Sequence, residues 1–273
     1  MLETMFNNVK ERSPLVHNIT NYVTVNDCAN ILLACGASPI MADDAAEVAE
    51  ITAVCDGLSI NIGTLSRRTT DSMLIAGAKS NEMNHPVVLD PVGVGVSKLR
   101  TDTALKLVHD IRLSAIRGNI SEIKMLASGT GSVNGVDAGK TDFVTNDKLD
   151  AVISLAKAFS DSTGAIIAIT GETDIVASPE KAYIIKNGCS YMTNVTGTGC
   201  MLSALTCAFI SANPDNPLEA TAAAVIEMGL AGEIAKQRMR DLDGSGSFRT
   251  YLIDAVSNMT AAELVKGAKY EVR

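Results

Sequence analysis

Asn194-Val-Thr-Gly-Thr-Gly-Cys200, followed at once by the apolar run Met-Leu-Ser-Ala-Leu-Thr-Cys-Ala-Phe-Ile, predicts a glycine-rich turn that opens a buried helix. Gly197 and Gly199 flank Thr198, so the backbone can take a positive φ and approach a ligand closely. The first N–H groups of a helix lack internal partners, and the helix dipole places partial positive charge there. The stretch therefore predicts an anion site, for phosphate above all.

Cys200 ends this turn at the predicted helix start. The positive end of a helix lowers the pKa of a thiol, which makes Cys200 a candidate reactive group. The alternative is a structural turn with a buried cysteine packed beneath it. A short Gly-x-Gly does not decide between the two interpretations.

Outward from this turn, short apolar runs alternate with amphipathic stretches from about residue 15 to residue 212. The periodicity predicts strands at 38–41, 58–62, 87–90, 114–117 and 165–170, and helices at 23–35, 69–84, 102–112 and 147–160. A hairpin is expected over 183–192, with Asn187-Gly188 as its turn. An alanine-rich helical region covers about 216–266, broken by Gly244–Ser247.

This alternation predicts an α/β fold with a mostly parallel central sheet and helices on both faces. No linker, repeat or low-complexity tract divides the sequence, so residues 1–273 are expected to form a single domain. Ligands of such sheets bind outside the carboxyl ends of the strands. The polar residues that follow each strand are therefore the candidates for function.

Composition excludes several classes of protein. The formal net charge is −8, without the basic face that nucleic-acid binding requires. The amino terminus lacks a signal-peptide core, and no apolar run has membrane-spanning length. The six cysteines contain no Cys-x-x-Cys pair and only three histidines are present, so a zinc site is not expected. We expect a cytoplasmic protein with reduced thiols, in which Cys28 and Cys35 are core residues.

Polar residues that follow the predicted strands supply the parts of a phosphoryl-transfer site. Arg117 offers a forked cation that suits phosphate oxygens, and Thr170 offers a hydroxyl beside a phosphate chain. Asp90 and Glu122 are carboxylates able to hold Mg²⁺ directly or through water. Phosphoryl transfer needs little beyond positioning and charge neutralisation. Neither a P-loop nor a Gly-x-Gly-x-x-Gly motif is present, so neither of those nucleotide-binding classes is indicated.

Each of these residues also has a structural interpretation. A lone arginine at a strand end can be an ion-pair residue, and Asp90 before Pro91 can form a turn. Glu122 follows Asn119 by three residues and can be half of a helix capping box. His17 is interpreted as a satisfied loop histidine without a role. The functional interpretation gains weight because these residues follow successive strands, which a parallel sheet brings to one edge.

Several motifs resemble a known family. Asn119-Ile-Ser-Glu122 resembles the Asn-x-x-Glu motif of ribokinase-like kinases, and Gly197-Thr-Gly-Cys200 resembles their Gly-Ala-Gly-Asp anion hole. With cysteine in place of that aspartate, the sequence resembles the hydroxyethylthiazole kinase family. The resemblance covers residues 14–265 and includes His17-Asn-Ile-Thr-Asn-Tyr-Val-Thr-Val-Asn26, Gly36-Ala-Ser-Pro-Ile-Met-Ala42, Asp90-Pro-Val-Gly-Val-Gly95 and Ile116-Arg-Gly-Asn119.

The resemblance implies ATP- and Mg²⁺-dependent phosphorylation of the hydroxyl of 4-methyl-5-(2-hydroxyethyl)thiazole, for thiamine salvage or biosynthesis. It implies a thiazole-alcohol pocket at Met41, Asn26, Gly63 and Gly197. It also implies a homotrimer with active sites at subunit interfaces, in which Met41 serves a neighbouring subunit. Neither nucleic acid nor a membrane is an expected partner.

The resemblance also assigns the phosphate, metal and anion groups. They are Arg117 and Thr170 for ATP, Asp90 and Glu122 for Mg²⁺, and Gly197, Thr198 and Gly199 for the anion hole, with Cys200 as the catalytic residue. Because Cys200 replaces the aspartate that takes the hydroxyl proton elsewhere in the superfamily, the identity of the base stays open.

Three other functions remain open at this point. One is a kinase of the same fold that acts on the pyrimidine half of thiamine. Another is a nucleotide-binding regulatory protein that kept the anion hole without turnover. The third is a thiol hydrolase that uses Cys200, although no histidine follows in a position that suggests a partner.

Overall fold

A computed structural model describes residues 1–130 and 146–273 of the chain. The helices are α1 (Leu2–Arg12), α2 (Val25–Cys35), α3 (Val48–Val54), α4 (Arg67–Glu82), α5 (Lys98–Asp110), α6 (Ile120–Gly129), α7 (Asn146–Thr163), α8 (Thr198–Ala212), α9 (Pro217–Arg238), α10 (Ser245–Asn258) and α11 (Ala261–Gly267). The strands are β1 (Leu15–Ile19), β2 (Ser38–Met41), β3 (Gly57–Asn61), β4 (Val87–Asp90), β5 (Ala115–Asn119), β6 (Ile166–Thr170), β7 (Asp174–Ala177), β8 (Ala182–Ile185) and β9 (Tyr270–Val272). A 3₁₀ turn covers Ser190–Asn194.

The strands form one nine-stranded sheet in the order β2-β1-β3-β4-β5-β6-β7-β8-β9. Strands β1 to β6 pair in parallel, and the pairs β6–β7, β7–β8 and β8–β9 are antiparallel. The prediction of a mostly parallel sheet is therefore confirmed. Its parallel part places the carboxyl ends of six strands at one edge.

Two hydrophobic cores lie on opposite faces of the sheet. Alternate residues of a strand point to opposite faces, so Val88 of β4 joins one core while Val87 and Leu89 join the other. The first core packs under α1, α2, α8, α9 and α10, and the second packs under α4, α5, α6 and α7. Helices cover both faces, as the alternation predicted. None of the helices described is long and apolar enough to cross a bilayer.

The ends of α2 agree with the sequence. The helix stops at Gly36, whose φ of 95° is a left-handed conformation that favours glycine. Cys28 and Cys35 lie on its buried face, which confirms them as core residues. All six cysteines of the chain are free thiols.

The expected hairpin over 183–192 is wrong. Strand β8 pairs with β7 and β9, so no position beside it is left for a returning strand among the residues described. Asn187 instead binds the carboxyl-terminal segment, because its Nδ2 donates to the Gly267 carbonyl (2.9 Å) and its Oδ1 accepts from Lys269 N (2.8 Å). The strand β9 that fills this position was not predicted, and neither was α1.

Candidate functional site

The carboxyl ends of the parallel strands meet beside the first turn of α8. In the register, Asn61 at the end of β3 lies opposite Asp90 at the end of β4. Asn119 at the end of β5 likewise lies opposite Thr170 at the end of β6. Because α8 begins at this edge, its Ser203 donates to Asp90 Oδ2 at 2.8 Å. The sheet thus brings the polar strand ends together, as expected.

The side chains of Thr24 and Arg117 lie against the glycine turn that opens α8. Gly197 has a φ of 93°, and a Cβ there would lie 2.6 Å from Thr24 Cγ2. A Cβ at Gly199 would lie 2.5 Å from Arg117 Nη1. The positive φ and this close approach make Gly197 require glycine, whereas a Cβ at position 199 would force the Arg117 guanidinium to shift. No side chain among the residues described caps this helix, so its first N–H groups can bind an anion.

Arg117 lies between Asp90, Thr170 and the start of α8. Its Nη2 donates to Thr170 Oγ1 at 2.6 Å, and its Nη1 lies 3.5 Å from Asp90 Oδ2. Its side chain is only 13% exposed, and Nε is buried without a hydrogen-bond partner. A cation and a helix amino terminus therefore lie against each other, where their charges add.

Asp90 is completely buried beneath these groups. Its Oδ2 accepts from Asn61 Nδ2 (2.9 Å) and Ser203 Oγ (2.8 Å), while Oδ1 has no partner. Burial raises the pKa of Asp90, and the positive charge of Arg117 opposes part of that rise. The unpartnered oxygen leaves this carboxylate able to accept one more hydrogen bond.

Glu122 forms the capping box that its spacing from Asn119 predicted. Asn119 N donates to Glu122 Oε2 (2.8 Å), and Glu122 N donates to Asn119 Oδ1 (2.9 Å). The other carboxylate oxygen accepts from Gly93 N at 2.9 Å. Glu122 therefore fastens the loop after β4 to the start of α6.

The expectation of a lowered pKa for the Cys200 thiol is wrong. Two amide groups donate to its sulfur, Asn21 Nδ2 and Asn61 Nδ2, each at 3.2 Å. These donors favour the thiolate, but burial and the nearby Asp90 carboxylate outweigh them and raise the pKa. No imidazole donates to or accepts from the sulfur among the contacts described, which leaves the hydrolase interpretation without a base.

Asn21 and Ser203 are functional candidates that the sequence did not single out, and Asn61 was among the polar strand ends but without a role. Both asparagines lie in stretches at strand ends, but an amide there is as common in a turn as in a site. Ser203 lies in the apolar run that predicts a buried helix. The only available signal was its spacing of three residues from Cys200, which places both on one helix face.

Gly63 lies beside this group, whereas Met41 lies two strands away. Gly63 N donates to Asn61 Oδ1 at 2.9 Å. Met41 ends β2, which is separated from β3 by β1, and it is half-buried against the core. Ala42 follows Met41 in the chain, and its carbonyl oxygen lies 2.9 Å from His17 Nε2. This histidine is bonded at both ring nitrogens, as the structural interpretation expected, but it is buried within strand β1 and not in a loop.

Asn26 lies outside the group around Cys200. It is exposed in the first turn of α2, and its Oδ1 accepts from Asn30 Nδ2 at 3.0 Å. It lines a cleft of about 380 Å³ that also contains the Asp27–Arg249 ion pair and residues 194–196, which lead into the Gly197 turn. The structure therefore brings together Gly63, Asp90, Arg117, Glu122, Thr170 and the Gly197–Cys200 turn. Asn26 lies on the cleft that precedes this turn, and Met41 lies two strands away from β3.

Comparison with known proteins gives one consistent family. Residues 6–262 match the model of the hydroxyethylthiazole kinase family. A hydroxyethylthiazole kinase of Clostridium acetobutylicum is 59% identical over 271 residues, which cover 99% of each chain.

Solved structures agree with this match. A hydroxyethylthiazole kinase protein from Pyrococcus horikoshii superposes with a TM-score of 0.89 and 34% identity, over 100% of this chain and 98% of that one. A ribokinase-like superfamily protein from Enterococcus faecalis, 12% identical, superposes with a TM-score of 0.60 over 94% of this chain and 89% of the other. That second likeness extends to the fold alone.

Proposed function

This chain belongs to the hydroxyethylthiazole kinase family and has its activity in thiamine biosynthesis; we propose that it transfers the γ-phosphoryl group of ATP at the strand ends around Cys200. The acceptor is the hydroxyl of 4-methyl-5-(2-hydroxyethyl)thiazole. The same family membership makes ATP the phosphoryl donor.

The contact between Arg117 and the start of α8 is the observation that carries this proposal. The guanidinium lies so close to Gly199 that a methyl group there would be 2.5 Å from Nη1. Backbone N–H groups and a forked cation thus face the same space, and Thr170 is held beside them by Arg117 Nη2. We infer that the ATP phosphates bind here, where developing negative charge is stabilised without rearrangement.

The carboxylates of this site fit a Mg²⁺ ion held largely through water. Asp90 Oδ1 is buried without a partner, and each oxygen of Glu122 accepts only one backbone hydrogen bond. The residues described contain no cluster of three or more metal-ligating side chains. Mg²⁺ suits such a site because it keeps several waters and binds one or two carboxylates together with substrate phosphates. When bound, it would neutralise phosphate charge.

Cys200 lies where the acceptor hydroxyl would meet the anion turn. The raised pKa of its thiol means that it is neutral before transfer, so it does not hold a standing negative charge. The transition state of phosphoryl transfer is loose, and the hydroxyl proton need not leave early. We infer that Cys200 positions the hydroxyl, and that only the small thiolate fraction of the sulfur can accept the hydroxyl proton as the new P–O bond forms.

Incubation with ATP, Mg²⁺ and each candidate alcohol tests the proposal. We expect the thiazole alcohol to gain the mass of one phosphoryl group, and the pyrimidine alcohol of thiamine to remain unchanged. Gly199→Ala should lower the rate of product formation on the order of tenfold or more, because its methyl group displaces the Arg117 guanidinium. Gly244→Ala is the matched control, since a Cβ there meets nothing within 4 Å. Product from the pyrimidine alcohol alone, or full activity of Gly199→Ala, would contradict the proposal.

We also propose that the chain forms a homotrimer through the edge of the sheet at β2. All four residues of this strand are partly exposed, and Leu33 of the neighbouring α2 is 59% exposed. Pro39 removes a backbone donor from the strand, which favours a contact through side chains over extension of the sheet. Met41 ends this strand, so the same contact would bring it to a neighbouring subunit.

The solution mass tests the assembly. Light scattering at micromolar concentration should give three times the chain mass of 28.6 kDa. Leu33→Glu should reduce this mass to that of a monomer, because a buried charge without a partner opposes association. Leu242→Glu, at a fully exposed leucine, serves as the control and should remain trimeric. A monomeric wild-type protein with full activity rules the trimer out.

A further inference from the structure

Asn61 is the residue through which the parts of the site contact one another. Its Nδ2 donates to Asp90 Oδ2 at 2.9 Å and to Cys200 Sγ at 3.2 Å. Its Oδ1 accepts from Asn21 Nδ2 at 3.0 Å and from Gly63 N at 2.9 Å. Two donors and two acceptors are the whole capacity of a carboxamide. Every one of them is used, and each partner belongs to a different segment of the chain.

These four contacts fix the orientation of the amide. A rotation by 180° would point the NH₂ group at the backbone donor of Gly63 and the carbonyl oxygen at the carboxylate of Asp90. Both new contacts would be repulsive, because each would set like groups against each other. The side chain is only 2% exposed, so water does not compete for these positions. The four partners of Asn61 therefore hold its amide in one orientation, and Asn61 in turn keeps those partners in place.

We propose that Asn61 is a positioning residue that sets the distance between the Gly63 turn and the sulfur of Cys200. The inference rests on the proposed role of Cys200 in transfer. The Gly63 turn is the expected side of the thiazole alcohol, and the sulfur faces its hydroxyl. With Asn61 in place, the acceptor and the anion turn keep a fixed spacing.

Asn21 supports this arrangement from the other side of the sulfur. Its Nδ2 donates to both Asn61 Oδ1 (3.0 Å) and Cys200 Sγ (3.2 Å). Its own Oδ1 accepts from Thr24 N and Thr24 Oγ1, each at 3.1 Å. Since the Thr24 side chain also lies against Gly197, the two amides connect the sulfur to the anion turn. Loss of either amide should loosen the sulfur without removing a phosphate ligand.

The first test is Asn61→Leu, which keeps the approximate size of the side chain and removes all four hydrogen bonds. We expect kcat to fall on the order of ten- to a hundredfold, the range that follows a misplacement of reacting groups. The KM for ATP should stay within about a factor of two, because Arg117 and Thr170 retain their own contact. Asn21→Leu should give the same pattern and replaces the first variant if that one does not fold.

Asn213→Leu is the matched control. Asn213 is also a buried asparagine, and its Nδ2 donates to the carbonyls of Met5 and Phe209 at the other end of α8. Its loss should lower the melting temperature while the folded protein keeps its kcat. A reduction of kcat as large as that of Asn61→Leu would show that α8 transmits any destabilisation, and would overturn the proposal.

A double-mutant cycle with Cys200→Ala separates the inference from the proposed role of Cys200. If Asn61 acts by holding the sulfur, Asn61→Leu should lower kcat far less in the Cys200→Ala background than in the wild type. An equal fold-change in both backgrounds, with Cys200→Ala itself slowed, overturns the inference alone. A wild-type kcat for Cys200→Ala overturns the proposed role of Cys200 and the inference with it.

Discussion

Neighbouring groups act in opposite directions on the pKa of the Cys200 thiol. Asn21 and Asn61 donate to its sulfur, while burial and Asp90 raise the pKa of the thiol. A sulfur held in this way is mainly a neutral thiol, which can position a hydroxyl but is poorly suited to act as a base. The field of a helix start acts on every thiol at that position, but desolvation of the charged form is the larger effect here.

Substitutions at Cys200 test this balance. We expect Cys200→Ala to remain active with kcat lowered about tenfold, less than the ~10²–10⁴-fold that a dedicated general base contributes. Cys200→Asp should match or exceed the wild type, because the two amide donors suit a carboxylate. The measurement is kcat of all three proteins across pH 6 to 9. A covalent adduct on Cys200 during turnover, or no activity in either variant, contradicts this role.

Arg117 tests the phosphate side of the site. Its fork contacts Thr170 through Nη2 and faces Asp90 through Nη1. Arg117→Lys keeps the charge but provides one ammonium for both positions. We expect the KM for ATP to rise and kcat to fall, each on the order of tenfold, since a hydrogen bond to a charged group contributes about 1.5–3 kcal/mol.

Arg112→Lys is the control for this substitution, because the Arg112 side chain contacts Asn81 and Asn84 instead. Unchanged kinetics of Arg117→Lys would make Arg117 a structural residue.

At the scale of elements, Glu122 joins the amino terminus of α6 to the loop after β4. Its two oxygens accept from Asn119 N and Gly93 N. Glutamine can replace only one of these acceptors, because its amide nitrogen is a donor. Glu122→Gln should therefore cost about 1 kcal/mol of stability and, if Glu122 also binds water around Mg²⁺, raise the Mg²⁺ concentration needed for half-maximal activity.

Glu263→Gln separates these two effects. Glu263 forms the same capping box with Thr260 at the start of α11, remote from the strand ends. Its substitution should lower the melting temperature and leave both kcat and the Mg²⁺ requirement unchanged. A Mg²⁺ requirement of Glu122→Gln equal to that of the wild type would remove Glu122 from the metal site and leave it as a cap.

At the scale of the whole molecule, one buried carboxyl makes stability depend on pH. Glu227 of α9 is completely buried, and neither of its oxygens has a partner among the residues described. Burial raises its pKa to about 8, with Lys10 opposing the rise. The folded protein therefore keeps a proton that the unfolded chain loses near its ordinary pKa of 4.5. Stability from this group is complete below that pH and is lost as pH rises to about 8.

Glu227→Gln removes this dependence. We expect the wild type and the variant to unfold at similar denaturant concentrations at pH 5. At pH 8 the variant should be more stable, by an amount on the order of a few kcal/mol. The difference in stability between the two proteins reports on Glu227 alone. Burial raises the pKa of Asp174 to about 7, but this residue titrates in both proteins. A difference in stability that does not change with pH would show that Glu227 is charged when buried.

The chain as a whole is proposed to fold as one domain over residues 1–273. Strand β9 near the carboxyl terminus completes the sheet beside β8, and α1 near the amino terminus packs into the same core as α8 and α9. Both ends of the chain thus belong to the structure that supports the site. Removal of residues 270–273 should expose the edge of β8 and lower the melting temperature.

Elements that follow from local periodicity and from the chemistry of single residues could be predicted before the structure was known. Strand β2, helix α2 with its stop at Gly36, the parallel sheet, and the glycine turn before α8 all belong to this class, because backbone sterics and burial act over a few residues. The Asn119–Glu122 capping box is likewise a local pattern. The convergence of Asp90, Arg117 and Thr170 is not local, but it was predictable because parallel strands bring their carboxyl ends to one edge of the sheet.

Contacts between distant segments account for what could not be predicted. The pKa of the Cys200 thiol is raised by burial and by Asp90, 110 positions away in the chain. Asn187-Gly188 has the composition of a hairpin turn, but β9 occupies the place of the second strand. Asn61 looks like any turn asparagine until Asn21, Gly63, Asp90 and Cys200 are brought around it. Desolvation and hydrogen bonding depend on the final neighbours of a group, and a linear pattern does not contain them.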